Sequence, residues 1–109
     1  MNTELKGRLE SIGISDAREL MVKDREYADS WRKRGGVGAF MMLARKWDRI
    51  ENIVSKNDYE LFKVWKEDIS GIRDDIGDLR RYLMLVEEFM TREKVPTRAE
   101  IATALTPPK

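Results

Sequence analysis

The chain has 109 residues, room for one small domain and not two. It is 38% charged and 41% hydrophobic, which excludes a disordered chain, and 21 Lys and Arg against 20 Asp and Glu leave a net charge of only +1, against a general nucleic-acid binder. With no Cys and no His, a disulfide scaffold, a Cys/His zinc site, a thiol nucleophile and a His general base are excluded as well.

No apolar run reaches the length of a membrane span, and the N-terminus lacks a signal-peptide core. The expectation is a soluble, cytoplasmic protein with no membrane partner. A core drawn from so small and charged a chain is modest, so self-association as a dimer or higher homo-oligomer is expected.

In chain order, helical periodicity dominates and no clean period-2 run stands out. Leu5, Leu9 and Ile12 mark a first short helix from Thr3, which Gly13 ends. Ser15 or Asp16 then caps a second helix running to about Trp31, with Asp16 to Glu19 reading as a capping-box variant. The basic turn Arg32-Lys33-Arg34-Gly35-Gly36 leads into a long helix from about Val37 to Val54, with Phe40, Leu43, Trp47, Ile50 and Val54 as its main apolar row. A break at 55–58 precedes a short helix over 58–65, and Ser70-Gly71 is a second break. The last long helix spans about 72–92, with Ile72, Ile76, Leu79, Leu83, Val86 and Met90 in a row. Pro96 opens a short terminal helix before the Pro107-Pro108 tail. The domain is 1–109, with its core over about 15–93 and the terminal helix and tail over 94–109. The fold class is all-α: a small antiparallel helical bundle, oligomeric.

Two acid pairs carry the chemistry: Asp48-x-x-Glu51 and Asp75-x-x-Asp78. An i, i+3 spacing places both members of a pair on one helix face. Beside the main apolar rows run Val37, Met41, Ala44, Asp48 and Glu51 on one helix and Asp75, Asp78, Tyr82, Leu85 and Phe89 on the other. Each row is apolar over one half and acidic over the other. Antiparallel packing would let the apolar halves cover one end and bring the acids together near the other. Four carboxylates so gathered suit Mg²⁺, and would repel without a cation. The same spacing also fits solvated faces laced with salt bridges, because Arg45, Lys46, Arg80 and Arg81 lie close by.

An acid pair, a spacer of 23 residues (Asn52 to Asp74) and a second acid pair resemble the E-x-x-E…E-x-x-D signature of all-α nucleoside triphosphate pyrophosphohydrolases, the MazG-like and dimeric dUTPase group. The stretches Tyr27-Ala28-Asp29-Ser30-Trp31 and 74–82 are similar to a MazG-related domain of phage genomes associated with nucleotide modification. The resemblance covers roughly Asp24 to Glu88. It implies an oligomeric helical bundle that binds a nucleotide through Mg²⁺ and cleaves between its α- and β-phosphates. Asp48, Glu51, Asp75 and Asp78 would hold the metal, with Glu51 and Asp75 as the catalytic pair. Three of these four are Asp where the family mostly has Glu at its first three positions, and Arg45, Lys46 and Arg49 lie among the first pair.

The basic turn, Arg32, Lys33, Arg34, Gly35 and Gly36, precedes a helix N-terminus, where free N–H groups favour a phosphate; the alternative is a flexible turn. Tyr27 and Trp31 are candidates to stack on a base, or to fill the core, and Trp47 reads as core. Three functions follow: a Mg²⁺-dependent nucleotide pyrophosphohydrolase, a non-catalytic sponge that sequesters nucleotide signals of host defence, and a helical interaction module without a small ligand.

Overall fold

The computed structural model describes residues 2–23 and 30–93, together with Ala99 and Thr103. Every regular element among them is helical. These are α1 (Thr3–Val22), a 3₁₀ turn (Ser30–Arg32), α2 (Gly35–Ser55), α3 (Leu61–Glu67) and α4 (Ile69–Arg92). No described helix is long and apolar enough to cross a membrane.

Local chemistry accounts for where these helices start and stop. The Asn2 side chain accepts from the Glu4 and Leu5 N–H groups, at 2.8 and 3.2 Å, and so caps α1. Contrary to the expected break, α1 continues through Gly13. A glycine inside a helix costs only about 1 kcal/mol, too little to stop a run of good helix formers. Asp16 therefore caps nothing; it lies mid-helix and its carboxylate is held by another element. The expected second helix to Trp31 instead ends at Val22, with residues 24–29 outside the described set and Trp31 in the 3₁₀ turn.

The short helix starts later than expected, because Asp58 and Tyr59 adopt positive φ, 55° and 61°, and the Tyr59 N–H turns back to the Val54 carbonyl. In contrast, α4 starts earlier than expected. Asp68 is the cap, accepting from the Gly71 N–H at 3.1 Å, so Ser70 and Gly71 form its first turn rather than a break. The expected terminal helix and the tail fall outside the described residues, apart from Ala99 and Thr103.

Contacts between α2 and α4 run in opposite chain directions. Trp31, just before α2, meets Phe89, Lys46 meets Asp78, and Arg49 meets Asp75. The two long helices are thus antiparallel, as the row pattern predicts. Their apolar contact is concentrated at one end, where Ile50, Val54, Val64 and Ile72 are buried with Ile53, Leu61, Ile76 and Leu79 against them. At the other end the Trp31 and Phe89 rings meet edge-on at 5.9 Å, with the Arg32 guanidinium over the Phe89 face.

Two residues of the main row of α2 are not core. Phe40 is 68% exposed and Trp47 is 53% exposed. The reason is rotation: burial of Ile50 and Val54 against Ile72 sets α2 so that Lys46 and Arg49 reach the α4 acids. Phe40 and Trp47 are left on the flank, and the Trp47 N–H donates to Glu51 at 2.8 Å. The radius of gyration is 18.3 Å, against about 13 Å for a compact chain near this length. Much apolar helix surface accordingly stays in the open.

Candidate functional site

The four acids do not converge. Across the α2–α4 interface, the Lys46 Nζ lies 2.7 Å from Asp78 and the Arg49 Nε lies 3.1 Å from Asp75. Lys46 also sits over the Tyr82 ring. Asp48 is exposed, and Glu51 holds the Trp47 indole on the same exposed flank. Among the described residues no three acids stand close enough to share a cation. The expected ligand set of Asp48, Glu51, Asp75 and Asp78, with its catalytic pair Glu51 and Asp75, therefore does not fit Mg²⁺ as arranged. The rotation that buries Ile50 turns the first pair outwards and gives the second pair basic partners.

The expected phosphate-binding turn lies elsewhere. Arg34 precedes α2 without a side-chain cap, and Gly35 takes the positive φ of 70° that the turn requires. Arg32 packs on Phe89, and Phe89 is 11 residues along α4 from Asp78. At 1.5 Å per residue the turn and the second acid pair are separated by about 16 Å. One chain therefore does not join Arg32, Lys33, Arg34, Gly35 and Gly36 to that pair. Trp31 is 6% exposed, packed on Phe89, so it presents no open face to a base. Tyr27 lies outside the described residues.

A different constellation lies between α1 and α4. Asp16 is 2% exposed and is gripped by two arginines. Arg80 donates from Nε to Oδ2 and from Nη2 to Oδ1 at 3.0 Å, and Arg81 donates to Oδ1 at 3.3 Å. Arg81 also reaches Glu19 at 3.7 Å. The hydrogen bond from Arg80 is the chief reason that the Asp16 carboxyl titrates below its ordinary value of 3.8; burial opposes it. Gly77 makes room for this grip, since a Cβ there would come within 2.9 Å of Arg81 Nη1. The sequence did carry a signal, the tandem Arg80-Arg81 one turn after a helical glycine. Nothing in it named Asp16 as the partner, because Asp16 also fits a cap.

The grip forms one wall of an open cleft of about 950 Å³ between α1, α2 and α4. Lys23, Arg49, Arg73, Arg80 and Arg81 line it, with Ser11, Ser15 and Ser70. Its acids are Asp16, Glu19, Asp74, Asp75 and Asp78. Of the arginines, Arg73 alone has no polar partner among the described residues. Beside the cleft is an apolar groove of about 230 Å³ bordered by Leu61, Phe62, Trp65 and Ile72. Arg73 and Ile76 line both, so polar cleft and apolar groove share a wall.

Comparison of the chain with protein-family models, with curated proteins and with solved structures found no match.

Proposed function

We propose that the chain binds a phosphate-bearing nucleotide, with the phosphates in the cleft and the base in the adjoining groove. The observation that carries this is the shared wall: an unpartnered arginine stands between a polar cleft and an aromatic groove. A nucleotide has the same division, anionic at one end and flat and apolar at the other. Guanidinium N–H groups of Arg73 and Arg49 would donate to phosphate oxygens, the strong, charge-assisted class of hydrogen bond. Ser70, near the start of α4, adds a hydroxyl on the same side. Phe62 and Trp65 offer exposed ring surface for a base. The bases of the cleft are matched by its acids, so selectivity would come from the placement of Arg73 rather than from a general positive field.

This reading favours retention over hydrolysis. Asp75 and Asp78 are engaged by Arg49 and Lys46, so neither is free to hold a cation. The sponge among the three functional classes is therefore preferred. The test is incubation with nucleoside mono-, di- and triphosphates, with Mg²⁺ and with EDTA, followed by dialysis and chromatography. Intact nucleotide retained in both conditions is the expected result. Nucleotide consumed with Mg²⁺ and spared with EDTA would restore the pyrophosphohydrolase. Retention of none of them would leave a helical interaction module.

A further inference from the structure

The flank of α2 turned away from α4 is apolar over its N-terminal half and acidic beyond it. Val37, Phe40, Met41, Ala44 and Trp47 follow one another along this flank, and Val37 is 78% exposed. Asp48 and Glu51 continue the flank, while Lys33 and Arg34 stand just before it. Lys33, Arg34 and Asp48 are exposed, and their side chains have no polar partner among the described residues. Along the helix the flank is basic, then apolar, then acidic, with the exposed Arg45 at its edge one turn from Met41.

We infer that this flank docks against the same flank of a second copy, with the two α2 helices antiparallel about a two-fold axis beside Met41. A two-fold axis there places residue 41+k of one copy opposite residue 41−k of the other. Asp48 then meets Arg34 of the partner subunit, and the two Met41 side chains meet at the axis. A parallel arrangement would set Arg34 against Arg34 and Asp48 against Asp48, which like charges disfavour. The charge order thus selects both the occupant and its direction. Trp47 supports burial here: its N–H already donates to Glu51 of its own chain, so covering the ring leaves no orphan donor. The apolar stretch between the charges is the type of surface a monomer rarely leaves open. The dimer also reunites charges that a single chain keeps apart. The basic turn of each copy comes beside the first acid pair of the other.

Light scattering and sedimentation of the full chain test this, independently of any nucleotide. The native protein is expected to be a dimer, and Phe40→Glu a helical monomer, since Phe40 contributes nothing to the core of its own chain. Arg34→Glu and Asp48→Arg should each weaken the dimer by about tenfold, the scale of two symmetry-related surface pairs reversed in sign. The double exchange Arg34→Glu/Asp48→Arg should restore it. The chain has no cysteine, so Met41→Cys supplies a single thiol, and it should form a disulfide-linked dimer on mild oxidation while Phe62→Cys does not. A native monomer at high micromolar concentration would overturn the proposal. So would a dimer indifferent to Phe40→Glu, or one that the double exchange fails to restore. Should Phe40→Glu fail to fold, the Met41→Cys and Phe62→Cys pair decides alone, with equal cross-linking of the two contradicting the register.

Discussion

The two joints that α4 makes are built from opposite materials. Towards α2 and α3 it buries Ile72 among Ile50, Val54 and Val64. Towards α1 it offers Arg80 and Arg81 to one buried carboxylate, while Leu5, Leu9 and Ile12 of α1 stay exposed. The first joint rests on water leaving apolar surface, which is non-directional and insensitive to pH. The second rests on a few directed, charge-assisted bonds, so it has a defined geometry and fails when one charge is lost. The proposed cleft lies on the second joint. A polar site needs walls of fixed direction, and directed bonds supply them.

The largest expected difference between the joints comes from Ile72→Ala. Removing this buried side chain should cost about 2–5 kcal/mol, the range for large-to-small changes in a core. Urea unfolding should show the whole α2–α4 unit shifting together. A cost below that of an exposed substitution would mean that the apolar joint is not the core of the fold.

Asp16→Ala should cost less, about 1–3 kcal/mol, because it removes the buried carboxylate to which Arg80 and Arg81 both donate. The loss should be local. Hydrogen exchange is expected to speed up in α1 while the α2–α4 amides keep their protection. Equal acceleration throughout would merge the two joints into one cooperative unit.

The contrast sharpens with pH. Asp16 binds its proton more weakly in the folded chain than in the unfolded one, so its contribution is complete above the ordinary value of 3.8 and is lost as pH falls through the lower folded value. The stability difference between wild type and Asp16→Asn should therefore shrink in that acid window and stay constant above it. A difference unchanged by acid would remove the charge from the account of this joint.

The smallest effects belong to the pairs between α2 and α4. Lys46→Ala and Arg49→Ala should each change stability by about 0–1 kcal/mol, since the arginine of the second pair is largely exposed and solvent screens it. Thermal melts suffice, and a loss comparable to that of Ile72→Ala would show that these pairs, not the apolar cluster, hold the helices together.

The long helices and their antiparallel order were legible because apolar spacing along one strand of sequence reports directly on which face needs covering. The Ile50, Val54, Ile72 and Ile76 positions follow from that rule. The rotation of α2 was not legible: Phe40 and Trp47 share a row with Ile50 and Val54, and only what stands opposite, Val64 and Ile72, decides which part of the row turns inwards. The acid pairs failed as a joint site for the same reason, since spacing places residues on a face without saying what stands opposite. Gly13 and Ser70-Gly71 misled because a breaker is weighed against its neighbours and its caps. Asp16 was visible only as a cap, because its true partners lie more than sixty residues away in sequence.

Calorimetric titration of a nucleoside triphosphate into wild type and Arg73→Ala, in EDTA, tests the proposed site most directly. Arg73 is exposed and supports no other described residue, so its removal should leave the melting temperature in place. Binding by wild type without metal, weakened by about 1.5–3 kcal/mol in the variant as for hydrogen bonds to a charged group, is the predicted result. Equal binding by the two proteins, or no binding by either, would contradict it.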